Sequence, residues 1–276
     1  MITSQTIRTY SDIDWSLLWK NARSAKSSKG KTADHWSKKA SAFAKRVKKT
    51  PFSELFLDLV QVDHQTTILD VGCGPGTLAL PLAARACSVT ALDYASGMIA
   101  ELKKEARRQE IVNIRALNCS WEDDWSACGI STHDIAIAAR SLNIENLEAG
   151  LRKLDSHARK QVIIVDRIGS SPFDPDLFTA LKRELNPGPD YIYTINILYR
   201  LGIHPRIEHI ELPSQTHYRD FDEAVAATLW MLKDITPEEE LLLHNYLKSR
   251  IIYSSEDGIV IKRRTSPRWA VLSWDK

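Results

Sequence analysis

The apolar residues in the central part of the chain fall into two alternating patterns. Short, near-continuous apolar runs predict buried parallel strands at residues 68–71, 88–93, 113–118, 133–138 and 161–165. Between these runs, apolar residues recur every three or four positions and predict helices at residues 78–86, 96–109 and 144–154. Strands and helices that alternate in this way are typical of a doubly wound α/β sheet.

Apolar patterns outside the central part predict additions to this sheet. Three helical faces precede it, with apolar residues at Trp15, Leu18 and Trp19, then Trp36, Ala40 and Phe43, then Phe52, Leu55 and Phe56. We therefore predict an N-terminal helical cap at residues 1–62 and a sheet domain at residues 63–276, with helical insertions at about 170–202 and 219–252. Further strands are predicted at residues 206–212, where polarity alternates, and twice within residues 258–274.

The first predicted strand runs into a turn of small residues, Gly72-Cys73-Gly74-Pro75-Gly76-Thr77. Glycines let the backbone approach a ligand closely, but a turn that binds a dinucleotide pyrophosphate has a third glycine where Thr77 stands. Pro75 has no N–H to donate, and Asp70 before the turn would repel phosphate. The turn therefore favours a ligand that carries positive charge, while the following helix start can bind an anionic group.

The second predicted strand ends in an acid, Asp93, which follows Gly72 by 21 residues. A strand, turn, helix and strand of this length bring a carboxylate to the hydroxyls of a bound ribose. The two features together predict a nucleoside cofactor with positive charge near the turn. S-adenosylmethionine, which has an ammonium, a sulfonium and a carboxylate, matches this description.

These residues resemble the class I S-adenosylmethionine-dependent methyltransferases, a Rossmann-like superfamily, over residues 66–166. The resemblance implies a seven-stranded, mostly parallel sheet in which a last strand, here residues 269–274, is antiparallel. It also implies a set of cofactor-binding residues. The residues near the methionine end would be Asp70, Gly72, Cys73, Gly74 and Gly76, those near the ribose and adenine would be Asp93, Tyr94 and Met98, and Ala139 would lie after the fourth strand.

The motif after the third strand departs from the family pattern. Many members have an aspartate at the position of Cys119, which puts the usual contact with the adenine amino group in doubt. The resemblance leaves Ser120, Trp121 and Glu122 as candidates for this part of the site, although Trp121 also suits a packing role. Upstream, Lys39 stands where some members have an arginine that contacts the cofactor carboxylate, and the alternative for Lys39 is a solvated helix face.

Substrate-binding residues are predicted from position alone. Arg140 follows the fourth strand, where ligands of α/β sheets collect, and it could bind an acidic acceptor or form a structural ion pair. Tyr191 and Tyr199 in the first insertion could line an acceptor pocket or simply pack their helix on the sheet. An Asn-Pro-Pro-Tyr element is absent after the fourth strand, which excludes one subclass of nucleic-acid base methylases.

Composition narrows the class of protein. The chain has 276 residues, of which 43% are hydrophobic and 26% charged, as in globular domains, and no apolar run reaches the ~18 residues of a membrane span. The first residues lack a basic region followed by an apolar one, so we predict a cytoplasmic protein without membrane partners. The four cysteines show no C-x-x-C spacing, so neither a metal site nor a disulfide framework is predicted.

Charge is distributed unevenly along the chain, and this leaves alternatives open. The first 50 residues contain 12 Lys or Arg and three Asp or Glu, although the whole chain has a net charge of only +2. We predict a methyltransferase with a small-molecule acceptor, as a monomer or homodimer. The alternatives are an RNA or protein methyltransferase that uses the basic segment, and a sensor that binds S-adenosylmethionine without methyl transfer.

Overall fold

A seven-stranded sheet forms the centre of the computed structural model, which describes residues 8–26, 32–47 and 50–276. Across the sheet, the strands are β3 (Ile114–Asn118), β2 (Ser88–Asp93), β1 (Thr67–Val71), β4 (His133–Ala139), β5 (Ala158–Arg167), β10 (Arg268–Asp275) and β6 (Arg206–Glu211). The pairs among β3, β2, β1, β4 and β5 are parallel, whereas β10 is antiparallel to both β5 and β6. The predicted doubly wound sheet with an antiparallel last strand is confirmed.

The described residues form ten α-helices, some of which cover the two faces of this sheet. They are α1 (Trp15–Ala25), α2 (Ala33–Val47), α3 (Phe52–Leu57), α4 (Ala79–Ala83), α5 (Ser96–Arg108), α6 (Leu147–Ser156), α7 (Pro175–Ala180), α8 (Tyr191–Arg200), α9 (Phe221–Thr228) and α10 (Pro237–Ser249). Burial explains the apolar runs, because Ile68 of β1 packs into the cluster on one face and Leu69 into the cluster on the other. Within the described ranges, no helix combines the length and apolarity that a membrane span requires.

A second, three-stranded sheet lies outside the main sheet and was not predicted. Its order is β7 (Gln215–Tyr218), β9 (Gly258–Lys262) and β8 (Ile251–Ser255), and it packs with α7, α9 and α10 around a third apolar cluster. The insertion predicted as helical at 219–252 does contain α9 and α10, and Thr236 and Glu239 form the expected capping box. The helical prediction is wrong only at its C-terminal end, where residue 251 already begins β8.

The N-terminal helices dock on separate parts of the fold. On α1, the Trp19 indole donates a hydrogen bond to the Ile144 carbonyl at 3.0 Å, which ties this helix to the segment after β4. Helix α2 lies on α5, and the contact is so close that a Cβ on Gly97 would be 2.6 Å from the Ser37 backbone. These contacts place α1 and α2 beside the carboxyl ends of the parallel strands, where the candidate site lies.

Candidate functional site

A cavity of about 620 Å³ opens at the carboxyl ends of β1, β2 and β4. Its floor is the turn after β1, and its sides come from the ends of β2 and β4, the segment after β3, and helices α1 and α2. Twelve of the predicted site residues line it: Asp70, Gly72, Cys73, Gly74, Asp93, Tyr94, Met98, Ser120, Trp121, Glu122, Ala139 and Arg140. The fold therefore brings into one cavity side chains that are up to 70 positions apart in the sequence.

The glycine turn uses its own N–H groups within the protein. The N–H groups of Gly72 and Cys73 both donate to the Leu92 carbonyl, at 2.7 and 2.8 Å, and that of Gly74 donates to Asp93 Oδ2 at 2.9 Å. Gly76 donates to the Cys73 carbonyl. No N–H of residues 72–76 remains to bind a phosphate, which agrees with the sequence-based exclusion of a pyrophosphate ligand.

Two glycines of this turn make a matched pair for mutation, because both have positive φ, 74° at Gly72 and 56° at Gly74. A Cβ on Gly72 would lie 2.3 Å from Ser141 Cβ, whereas a Cβ on Gly74 would meet only Phe43 across the cavity, at 3.8 Å. We expect Gly72→Ala to destabilise the fold by about 2 kcal/mol or more. We expect Gly74→Ala to fold but to lose at least tenfold in S-adenosylhomocysteine affinity, as checked by thermal unfolding and calorimetric titration.

Asp70 is the most unusual acid of the cavity. It ends the buried core of β1, only 2% of its surface is exposed, and its Oδ2 has no hydrogen-bond partner. Burial and the nearby Asp93 carboxylate raise its pKa to about 7, although the Ala79 N–H donates to it. A buried carboxylate oxygen without a donor is costly, so this position suits a ligand that brings a positive charge.

Asp93, the last residue of β2, stabilises the glycine turn through a hydrogen bond. Its Oδ2 accepts from the Gly74 N–H and its Oδ1 from the Ala95 N–H, at 2.9 and 2.8 Å. Burial raises the pKa of this carboxyl, and these two hydrogen bonds oppose the rise. Each carboxylate oxygen has a second lone pair, so Asp93 can still accept hydrogen bonds from ligand hydroxyls in the cavity.

Aromatic and polar residues form the side of the cavity beyond Asp93. The Trp36 indole of α2 donates to the Tyr94 hydroxyl, and burial raises the pKa of Tyr94 to about 12, so this hydroxyl remains neutral. On the facing segment, Trp121 packs on Trp125 with ring centroids 5.7 Å apart, and its buried Nε1 has no partner. Exposed Glu122 lines the same wall.

Three cations line the cavity near the end of β4. Arg140 lies with its guanidinium carbon 3.9 Å from the centroid of the Phe52 ring, and its φ is 58°. Arg23 and Lys26 come from α1 and the residue that ends it, and Lys26 Nζ donates to Asn143 Oδ1 at 2.6 Å. The sequence analysis missed Arg23 and Lys26; their only signal was the basic bias of the N-terminal segment.

Burial, and after it repulsion by nearby cations, lowers the pKa values of Lys26 and Arg140. Burial, followed by Arg23, Arg167 and Lys233, lowers the pKa of Lys26 to about 8. Burial, followed by Arg46, lowers the pKa of Arg140 to about 10, so its guanidinium remains charged at neutral pH. Asp70 and Asp93 belong to β1 and β2, and we call their part of the lining the acidic end and the part that holds Arg23, Lys26 and Arg140 the basic end.

Four predicted site residues lie away from the cavity lining. Lys39 is exposed on α2, and Gly76 packs against Leu80 and Leu102 behind the turn. Tyr191 is partly buried against the core, and Tyr199, which is 55% exposed, contacts Tyr10. Tyr191 thus packs on the core cluster as in the alternative interpretation, whereas Tyr199 packs on the N-terminal segment and not on the sheet.

Metal-binding side chains do not cluster in the part of the chain that the structure describes, where no group of three or more His, Cys, Asp or Glu could hold an ion. All four cysteines are free thiols. Cys119 and Cys128 lie with their sulfurs 3.4 Å apart.

Comparison with known proteins relates this site to a family. Residues 68–166 match the family model of a methyltransferase domain. An uncharacterised protein of Haemophilus influenzae is 28% identical over 87% of this chain and 88% of its own length. A 23S rRNA (uracil(1939)-C(5))-methyltransferase of Pectobacterium atrosepticum is 35% identical, but over only 25% of this chain and 17% of its own length.

A solved structure shares the fold. A protein proposed to be a methyltransferase, from Bacillus halodurans, superposes with a TM-score of 0.54 at 12% identity, over 81% of this chain and 97% of its own. At this identity the likeness concerns the architecture, and it agrees with the strand order described above.

Proposed function

We propose that this chain, whose residues 68–166 match a methyltransferase domain, is a class I S-adenosylmethionine-dependent methyltransferase and that it methylates a small-molecule acceptor held in the cavity. The observation that carries the proposal is the size of the cavity and the position of the helices that line it. Helices α1 and α2 wall it on the side away from the sheet, and its volume of about 620 Å³ is within the range of small-molecule sites.

The residues of the acidic end fit S-adenosylmethionine. We assign the unpartnered Asp70 oxygen to the ammonium group of the cofactor and Asp93 to its ribose hydroxyls. Tyr94 and Met98 would lie along the ribose and adenine. Glu122 is the better candidate for the adenine amino group, since a carboxylate accepts hydrogen bonds, whereas the Trp121 indole can only donate one.

The chemistry needs alignment more than dedicated acid or base groups. When bound, S-adenosylmethionine supplies the methyl group: the lone pair of the acceptor bonds to the methyl carbon while the C–S bond breaks, and sulfur keeps that electron pair as a neutral thioether. Positioning of this kind can contribute about 7 to 11 kcal/mol to the lowering of a barrier. In this protein the turn and Asp93 would hold the cofactor, while α1, α2 and the segment after β4 orient the acceptor and exclude water.

Two measurements test the proposal in sequence. Calorimetric titration with S-adenosylhomocysteine should give saturable binding, and its absence at millimolar ligand would reject the cofactor site. Incubation of the protein with methyl-labelled S-adenosylmethionine and a metabolite extract should then give a labelled product of low molecular mass. Binding without any labelled product would instead favour a sensor.

The raised pKa of Asp70 makes cofactor binding pH-dependent. The carboxyl must be ionised to pair with an ammonium group, and its pKa in the free protein is about 7. Affinity for S-adenosylhomocysteine should therefore be constant above pH 8 and should fall toward tenfold per pH unit below 7. Titrations between pH 5.5 and 8.5 measure this slope. Equal affinities across that range would show that Asp70 does not pair with the ammonium group.

An RNA acceptor is the second candidate, favoured by the basic N-terminal segment and by the partial match to an rRNA methyltransferase. A gel shift with tRNA or rRNA at low and high salt tests it, since contacts with phosphates weaken steeply as salt rises. No shift at low salt would remove this candidate.

A further inference from the structure

The basic end of the cavity lacks counter-charges, although Arg23 and Lys26 are half-buried. Within residues 8–26, 32–47 and 50–276, Arg23, Lys26 and Arg140 form no ion pair with a carboxylate. The buried Nε of Arg23 has no hydrogen-bond partner, and Lys26 bonds only to the neutral amide of Asn143. Glu145, the acid of the neighbouring loop that also lines the cavity, is exposed and pairs with none of them.

A further cation acts on Arg140 from helix α2. Arg46 of α2 lies 5.0 Å from the ring centroids of both Phe43 and Trp230, and its charge acts on Arg140. Like charges that share a partly desolvated site repel one another and cost stability. Arg23, Lys26 and Arg140 line one cavity without a carboxylate partner among the described residues, and an anion bound in the cavity would offset their charges.

Arg140 is held in a form suited to such a ligand. Its guanidinium carbon lies 3.9 Å from the centroid of the Phe52 ring and 5.3 Å from that of Trp269, so two aromatic rings contact this side chain. The N–H groups of a guanidinium point along its edge, where they can bind two oxygens of a carboxylate or phosphate at once. Its backbone, with φ of 58°, is fixed where the Arg140 N–H donates to the Val165 carbonyl at 2.7 Å.

From this arrangement we infer that the methyl acceptor is an anionic small molecule, whose carboxylate or phosphate group binds Arg140 and Lys26. The inference rests on the proposed function and names the substrate class of the same cavity. The carboxylate of the cofactor neutralises only one positive charge, so it leaves two of the three cations for a second anion. The acidic turn holds the cationic cofactor, and the basic end holds the acceptor.

Extract fractionation tests the charge of the acceptor directly. A metabolite extract is separated on an anion exchanger at pH 7 before incubation with the protein and methyl-labelled S-adenosylmethionine. Methyl-accepting activity should lie in the retained fraction. Activity confined to the unretained fraction would overturn the inference while leaving the proposed function intact, and failure of S-adenosylhomocysteine to bind would reject both.

Charge-removing variants then locate the anion site. For the retained fraction, Arg140→Gln and Lys26→Gln should require at least tenfold more acceptor for half-maximal rate, with S-adenosylhomocysteine affinity within about twofold of the starting protein. Lys20→Gln, which removes an exposed charge of α1 outside the cavity, is the matched control and should change neither value. If the two cavity variants instead lose cofactor affinity and keep their acceptor dependence, the cations bind the cofactor carboxylate and the inference is wrong.

Discussion

Replacing Asp70 by Asn is expected to stabilise the folded protein at pH 8 and, in the same variant, to abolish detectable S-adenosylhomocysteine binding. The gain arises because the native state must hold a buried carboxylate whose Oδ2 has no partner and which lies beside Asp93. The loss arises because the neutral amide cannot pair with the ammonium group of the ligand. A residue that lowers the stability of the free protein but is required for ligand binding is characteristic of a functional site.

The direction of this effect depends on pH. Burial raises the pKa of folded Asp70 to about 7 from an ordinary value of 3.8, so the unfolded chain loses its proton first and stability falls as pH rises between these values. Above pH 7 the free energy of unfolding of the Asn variant should therefore exceed that of the starting protein by roughly 4 kcal/mol, and the difference should vanish near pH 4. Denaturant unfolding at both pH values measures it.

Asp134 provides the matched control on the same sheet. It is also buried, but hydrogen bonds from the Thr67 N–H and hydroxyl, both at 2.9 Å, outweigh burial and lower the pKa of its carboxyl. Asp134→Asn should therefore destabilise the protein at pH 8, the opposite sign from Asp70→Asn. Equal effects of the two variants would show that loss of charge as such, and not the environment of Asp70, determines the stability change.

Replacing Asp93 by Ala is expected to weaken S-adenosylhomocysteine binding by about 1 to 3 kcal/mol, or about fivefold to more than a hundredfold. The variant loses the acceptor proposed for the ribose hydroxyls, and it also leaves the N–H groups of Gly74 and Ala95 without their partner. The turn itself should become less ordered in the variant. The expected loss of affinity therefore includes the free energy needed to order Gly74 when the ligand binds. Calorimetric titration of the folded variant checks it.

A second aspartate distinguishes the loss of the ribose acceptor from the loss of order in a turn. Asp123 also braces a turn, since its Oδ2 accepts from the Ser120 N–H at 2.8 Å, but it does not line the cavity. Asp123→Ala should lower the free energy of unfolding and leave S-adenosylhomocysteine affinity within about threefold. If Asp93→Ala keeps full affinity, Asp93 does not bind the ribose.

The central strands and the glycine turn were predictable because their signals are local. Buried parallel strands are apolar on both faces, as Ile68 and Leu69 illustrate, and the turn requires positive φ at Gly72, Gly74 and Gly76. The second sheet was not predictable in the same way. Strand β7 has four residues, largely exposed and polar, and its pairing with β9 joins segments about 40 residues apart.

The amino-acid sequence by itself determined the central sheet, its acid-tipped glycine turn and the distance from that turn to Asp93, because each depends on residue types within a single strand, helix, strand unit. Only the tertiary structure decided which charges meet in the cavity. The Lys26 side chain bonds to Asn143, which lies 117 positions further along the chain, and Tyr199 packs on Tyr10. Neither contact can be predicted from hydrophobic periodicity. Such contacts depend on how whole helices and strands pack together. The acidic and basic ends of the cavity could therefore be identified only from the tertiary structure.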